Sequence, residues 1–471
     1  MLVALDVTRH SLRVSSVGLS RVRLPANSVL LDAARSAGGG GTVTATPGGV
    51  RLSSWLLPLA LAGAALAMSF SLKSPCLAGS WGAPNWLQYR QLCYNDIQPL
   101  YAGRNLDRGA VPYITQRKFE YPAVTGIWMW VTAQVSASHS QFFLSNAAGL
   151  AFVALACVLA LLGAVPRRRV LLFAAAPPLI LYAFHNWDLL AVGPLCGALW
   201  AWSRGRPLLC GALLGVGAAA KLFPAFAVVP AASALWLSHS EDSRRSARLL
   251  VLGAVAAWAA INVPVMIGDV VADGRMDGWL GTYLFHANRL PDYGTLWFWL
   301  AEPVFGQAAG SADYKAIVDV ASFALFCLGA CLLWLLQVRR GIHPWTTTCG
   351  VIALFLLVAK VHSPQYALWL LPLFAAVAVP VPIIVAFFAT DLCVLFCGFA
   401  WLGVSPGLDV ETWRALYGAA VCCRGAVLAA LVVWCSRARA DQCVYERMRD
   451  PAGDEAVAYT THQLAATDCV P

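Results

Sequence analysis

The sequence predicts an all-α polytopic membrane protein of about 12 transmembrane helices (11–13), and three observations carry that prediction. Of its 471 residues, 59% are hydrophobic and 12% are charged. A soluble domain carries about 25% charged residues, so folding alone cannot hide this much apolar surface from water. Apolar runs recur near the length needed to cross a bilayer, about 17–25 residues. Those runs are continuous rather than alternating, which selects helices over the strands of a barrel.

The elements follow in chain order. Residues 1–53 hold six Arg and two acids and include SAGGGGTVTATPGG. They read as a disordered basic cytoplasmic tail, with a transit peptide as the alternative. The expected spans are 54–71, 142–164, 170–184, 189–202, 207–220, 222–237, 248–267, 315–337, 345–360, 366–379, 382–402 and 414–435. Several are short for a bilayer, so tilted, broken or re-entrant segments are expected. The stretch 122–138, beginning PAVTGIWMWVT, reads as an interfacial helix of the first loop rather than a thirteenth span. Residues 436–471 form an expected cytoplasmic C-terminal tail.

Charge fixes the expected orientation. The net charge is +9, and most of it lies in Arg clusters beside apolar runs. It therefore reports membrane orientation, and no stacking-plus-basic module or zinc-finger spacing points to nucleic acid. With 12 spans and the N-terminus inside, PRRR (166–169), SRGR (203–206), SEDSRRSAR (240–248), QVRRGIH (337–343) and the C-terminal tail all face the cytoplasm. Counting 122–138 as a span would reverse most of them against the positive-inside rule. The outer side then collects the first loop (72–141), HNWD (185–188), the turn at Lys221, a Trp-rich loop (268–314), KVHSPQY (360–366) and SPGLDVETWR (405–414).

The polar groups of these outer segments are the candidate site. Asp96, in YNDI, is a candidate general base or metal ligand, with a solvated acid or a local cap as the plain alternative. Tyr94 and Tyr101 could wall such a site, and Asp107 and Glu120 are weaker candidate acids. Lys221, in GVGAAAKLFPAF, has no acid near it in sequence; it suits a lipid phosphate, with snorkelling to the interface as the alternative. Lys360, His362, Ser363 and Gln365 put four polar side chains beside a helix ended by Pro364. His185 and Asp188 share the HNWD turn, and His286, Arg289 and Asp292 precede Trp297 and Trp299, which also suit an interfacial belt.

Asp391 and Arg424 differ in lying well inside consecutive antiparallel spans, each roughly 15–17 Å deep. They are expected to pair for architecture, within about 6 Å. Most of the 15 cysteines sit in apolar runs and read as small hydrophobes. Cys76 and Cys93, both in the first loop, are the candidate disulfide.

The chain resembles the C-type membrane glycosyltransferases, with a first span, an outer loop carrying an early Asp and juxtamembrane helices, then many spans. YNDIQPLY, EYPAVTG, HNWDLLAVG, GAAAKLFPAF, NRLPDYGTLW and KVHSPQYALWLLPL are similar to glycosyltransferase family 87, which includes polyprenol-phosphate-mannose-dependent mannosyltransferases. The resemblance covers roughly 54–435, the expected transmembrane glycosyltransferase-like domain. It implies a polyprenyl-phosphate sugar donor and a cell-envelope glycolipid or glycan acceptor, at the outer face of the plasma membrane. It implies that Asp96 is the base, that Lys221 is the family's Lys after a small-residue helix, and that Ser363 and Pro364 are its late Ser-Pro. The better-known mannosyltransferases carry histidines after that Ser-Pro, where this chain has Gln365 and Tyr366, with His362 before.

The expected reaction is an inverting transfer. Lys221 would bind the leaving phosphate, with Arg289, Lys360, His362, Gln365, His185, Asp188 and Tyr94 around the substrate. The sequence specifies no cofactor, and a divalent metal is compatible with the site. The alternative is a transporter or flippase of a lipid-linked precursor, which would place polar groups near mid-membrane and show inverted repeats.

Overall fold

A computed structural model describes residues 53–77, 81, 86–116, 119–238, 240–403 and 409–438. The expected tails, up to residue 52 and from 439, lie outside the described residues. Those that are described form helices, with no strand beyond an isolated bridge between Pro112 and Gln116. Helix α1 (Ser53–Lys73) leads into a first loop that carries α2 (Leu87–Arg90), α3 (Ile97–Gly103) and α4 (Ala123–Gln134). Next come α5 (His139–Leu162), α6 (Arg167–Ala174), α7 (Pro177–Tyr182), α8 (Leu189–Ser203), α9 (Pro207–Ala220) and α10 (Val228–Trp236). The long α11 (Glu241–Asp273) is followed by α12 (Asp277–Asn288), α13 (Leu296–Phe305) and α14 (Ala312–Arg340). The bundle closes with α15 (Pro344–Val358), α16 (Leu371–Ala376), α17 (Val381–Leu402) and α18 (Val410–Arg437).

Among the described residues six helices are long and apolar enough to cross a bilayer: α1, α5, α11, α14, α17 and α18. Shorter apolar helices include α8, α9, α10, α13 and α15. The chain is an all-α polytopic membrane protein. Helix α4, at 12 residues, is about 18 Å long, against a hydrocarbon core of about 30 Å. Helix α14 exposes Val320, Phe323 and Leu328 at 70–71% of their surface. A helix apolar on its outward face packs against lipid. Helix α15, in contrast, is buried along most of its length.

Small residues let helices close in. Gly211 and Gly215 of α9 lie against α11 so tightly that a Cβ at either would sit 1.8 Å from the Leu250 carbonyl or 2.2 Å from that of Ala254. Gly253 of α11 meets the Leu208 carbonyl in the same way. Small residues four apart are the pattern by which helices without a hydrophobic driving force approach in lipid.

Two expected boundaries differ. SEDSRRSAR is not a loop but the first turns of α11, because the Ser240 side chain accepts from the Ser243 N–H and Glu241 and Asp242 favour the helix N-terminus. The expected loop 268–314 is mostly helical, comprising the end of α11, α12, α13 and the start of α14.

Three breaks shape the site. The expected span 170–184 splits at Ala175 and Ala176, before Pro177. Helix α9 stops at Lys221, whose backbone turns extended (φ −161°, ψ 141°), with Pro224 in the turn that follows. Helix α15 stops at Ala359, also extended, and Pro364 starts a short 3-10 turn. Helix continuity fails where proline removes a donor and the preceding residue is pushed out of the helical region.

Inside the bundle the Arg424 guanidinium lies 3.7 Å from Asp391 Oδ1, and both side chains are 2% exposed. Tyr182 donates to Asp391 Oδ2 at 3.0 Å, and Arg424 Nη2 donates to the Gly294 carbonyl at 2.7 Å. Removing one member leaves the other charge buried, so Arg424→Ala is expected to cost about 3–5 kcal/mol. Arg424→Met with Asp391→Asn should recover much of that. Denaturant unfolding in detergent reads both; equal losses in the single and double variants would contradict the pairing.

A disulfide joins Cys76 to Cys93, 17 residues apart. It ties the end of α1 to the segment just before Asp96. Cys93→Ser is expected to lower stability by about 3 kcal/mol through a looser unfolded chain and first loop, read as a lower melting temperature that reducing agent reproduces in the wild type.

Candidate functional site

The site is built from Asp96 outward. Asp96 stands just before α3, but its side chain does not cap that helix. Asn95 takes the capping role, accepting from the Gln98 N–H at 2.9 Å. The Asp96 carboxylate is thereby left free to face the HNWD turn. Oδ1 accepts from the Tyr94 hydroxyl at 2.6 Å, and Oδ2 accepts from Asn186 Nδ2 at 2.6 Å. The Asp96 N–H donates to the His185 carbonyl at 2.8 Å. Asn186 also donates to the Tyr121 hydroxyl oxygen at 2.8 Å.

Two residues further along that turn, Asp188 is fully buried. Its Oδ1 accepts from Lys221 Nζ at 2.7 Å and from Trp369 Nε1 at 2.6 Å. The Lys221 ammonium lies 4.6 Å from the Tyr366 ring centroid and 5.5 Å from that of Trp369, and its side chain keeps 18% of its surface exposed. Aromatic faces and a buried carboxylate together hold a cation in place. His362 stacks on Tyr366, with centroids 5.9 Å apart. One turn thus carries the partner of Asp96 and the partner of Lys221, and Tyr366 carries the contact on to His362.

The electrostatics suit a base. Burial pushes the Asp96 carboxyl above its ordinary value, opposed by the hydrogen bonds from Tyr94 and Asn186 and by the Lys221 charge. Each oxygen holds one donor, and an ionised carboxylate has about four acceptor sites, so acceptor capacity remains. Asp96 also keeps part of its surface accessible. The Asp96 charge, foremost, and burial raise the Tyr94 phenol well above its ordinary value, so Tyr94 is a donor and not a competing base. His362 is pushed well below the ordinary histidine value, by burial first and then by the Arg424 charge. Its Nδ1 lies 3.0 Å from the Leu356 carbonyl, so the neutral ring carries its proton there. Nε2 is left as an acceptor with no partner among the described residues.

Other candidates take different roles. His185 is 2% exposed and its Nδ1 faces the Lys73 ammonium at 3.5 Å, so it lies behind Asp96 instead of on the accessible side where it was expected. Lys360 was expected to assist with phosphate, but it ion-pairs with Asp319 of α14 and donates to the Ala287 carbonyl at 2.7 Å. Arg289 lies 3.4 Å from Asp292, and its side chain is 34% exposed. Gln365 is buried, and its Oε1 has no partner among the described residues. Glu120 is no alternative base, since Arg104 holds both its oxygens, at 2.5 and 2.8 Å. His286 meets the Glu120 carbonyl at 2.9 Å and is lowered to about 4, chiefly by burial.

Sequence reasoning missed Asn186, Tyr121, Trp369 and Lys73. Asn186 lay inside a motif already singled out, but a neutral amide beside His185 and Asp188 gave no reason to prefer it. Hollows of about 260 Å³ lie elsewhere, one between α13 and α18 at Trp299, Glu302 and Arg414, and one at Tyr113, Trp130 and Pro264; neither is lined by Asp96, Lys221 or His362. Among the described residues no group of three or more His, Cys, Asp or Glu converges as a metal set.

No protein-family model and no curated protein matches the chain. Among solved structures it is similar to ArnT from Cupriavidus metallidurans. The form bound to undecaprenyl phosphate gives a TM-score of 0.41 at 15% identity, covering 82% of this chain and 78% of that one. The apo form gives the same score and identity, covering 82% and 77%. A likeness this distant carries no argument about chemistry.

Proposed function

We propose that the chain is an integral-membrane glycosyltransferase. It moves a sugar from a polyprenyl phosphate, mannose being the first candidate, to a hydroxyl of a cell-envelope glycolipid or glycan. The observation that carries this reading is the pairing of two unlike groups on one turn: an accessible, burial-raised carboxylate held by Asn186 and an accessible cation held by Asp188. Asp96 takes the proton from the acceptor hydroxyl as its oxygen attacks the sugar C1. The bond from C1 to the phosphate oxygen breaks on the opposite face, and the configuration inverts. The lipid phosphate leaves as a stable anion, so one carboxylate suffices where hydrolases use two. Lys221 supplies a compact charge to the leaving phosphate, and Arg289 a second. His362 Nε2 and Gln365 Oε1 are acceptors suited to sugar hydroxyls.

The reading places the reaction at the outer face of the plasma membrane with both termini inside. In support, α8 and α9 each run between a turn of the site and the SRGR loop, and α15 runs from QVRRGIH to the break at Ala359. Arg340 donates to the Ser436 carbonyl, and Arg169 donates to the Phe374, Ala375 and Val377 carbonyls where α16 ends. Asp391 and Arg424, the charges that would favour a transporter, are occupied by each other, Tyr182 and Gly294. The test is the purified chain in lipid nanodiscs with a panel of polyprenyl-phosphate hexoses and a membrane glycolipid extract. Transfer from at least one donor is expected; donor translocation without transfer would overturn the proposal in favour of a flippase.

A further inference from the structure

Lys73 is the last residue of α1, and it is 2% exposed. An ammonium in so dry a place is costly unless its three N–H groups find acceptors. Here they do. Nζ donates to the Tyr94 carbonyl at 2.8 Å and to the Leu92 carbonyl at 3.4 Å, and it lies 3.5 Å from His185 Nδ1. With Nδ1 accepting, the His185 ring carries its proton on Nε2.

These acceptors belong to the two segments that hold Asp96. Tyr94, bound through its carbonyl to Lys73, donates its hydroxyl to Asp96 Oδ1. His185, bound through its ring to Lys73, accepts the Asp96 N–H with its carbonyl, and the next residue, Asn186, donates to Oδ2. The His185 ring is wedged between Tyr94 and Tyr182, with centroids 5.2 and 5.8 Å away. Lys73 therefore closes the cage from behind.

We propose that Lys73 is a positioning residue for Asp96: it pins the 92–94 and 185–186 segments together and so holds their two donors, Tyr94 and Asn186, on the carboxylate. The proposal rests on the reading of Asp96 as the base. The other groups acting on Asp96 are the donors Tyr94 and Asn186, the cation Lys221 and the acid Asp188, with the Tyr121 and Tyr89 phenols nearby.

The test uses the full chain in detergent, treated with dicyclohexylcarbodiimide, a reagent for protonated carboxyls in apolar surroundings. Labelling at Asp96 is read by peptide mass spectrometry as a function of pH. The side chain in Lys73→Gln is too short to hold both segments, so the Tyr94 and Asn186 hydrogen bonds that favour the ionised carboxylate loosen, whereas Lys73→Arg keeps the reach and the N–H donors. The labelling midpoint is expected to rise by about one pH unit in Lys73→Gln and to stay at the wild-type value in Lys73→Arg. The acid limb of kcat for sugar transfer should move with it in Lys73→Gln. A Lys73→Gln midpoint equal to wild type overturns the proposal, as does a Lys73→Arg midpoint displaced as far as that of Lys73→Gln. A structural role alone would lower activity without moving either midpoint. Because labelling needs no sugar donor, its result stands apart from whether the chain transfers sugar.

Discussion

Asp96→Asn is expected to lower the rate of sugar transfer by about 10²–10⁴-fold, the usual contribution of a positioned general base. The substitution is nearly isosteric and lies in a cage fixed by Tyr94, Asn186 and the His185 carbonyl. Donor binding should therefore survive, and the loss should fall on kcat rather than KM. Binding of a radiolabelled polyprenyl-phosphate sugar, compared with single-turnover transfer, separates the two. The wild-type pH profile follows from the same burial. Asp96 works as the ion, and its value is raised, so activity disappears as pH falls through a point above the ordinary carboxylate value of about 4. Stability has the opposite sign. The native state holds this proton more tightly than the unfolded chain, so ionising Asp96 at higher pH costs stability while enabling catalysis.

Lys221→Met should be damaging twice over. Asp188, fully buried, would retain only the Trp369 N–H on Oδ1, and Oδ2 has no partner already. Leaving a buried charge unpaired costs about 3–5 kcal/mol, read as a lower unfolding midpoint. Transfer should also fall by about 10²-fold or more, because the leaving phosphate loses its cation. The double variant Lys221→Met with Asp188→Asn separates the two effects. It removes both charges, so stability should return while transfer stays low. If transfer returns together with stability, Lys221 is only a structural partner of Asp188 and the phosphate assignment is wrong.

The long helices were legible because lipid leaves a simple signature. α14 and α17 are built on long, nearly unbroken apolar runs, and their ends lie within three residues of the expected spans. The broken segments were less so. Nothing in the composition of 170–184 or 366–379 says that the chain leaves the helix at Ala176 or runs as a 3-10 turn from Pro364. The start of α11 was hidden because SEDSRRSAR is polar enough to read as a loop; the Ser240 cap followed by Glu241 and Asp242 was the signal that outweighed it.

The site was partly legible for a related reason. Charges and broken helix ends stand out in an apolar chain, which is how Asp96, Lys221, Asp188 and His362 came into view. Their partners did not. Asn186 meets Asp96 across 90 residues and Trp369 meets Asp188 across 181, and no local pattern encodes a contact of that range. Lys73 was overlooked because a lysine at the end of an apolar run looks like one that reaches for the interface. Here its side chain turns into the first loop, where Leu92 and Tyr94 wait as acceptors.

The most direct measurement of the central claim is single-turnover transfer from a polyprenyl-phosphate mannose by the purified chain in nanodiscs, with the anomeric configuration of the product read by NMR. The wild type should give a product of inverted configuration, and Asp96→Asn should bind the same donor but give almost none. Transfer by Asp96→Asn at the wild-type rate, or a product of retained configuration, would contradict the account.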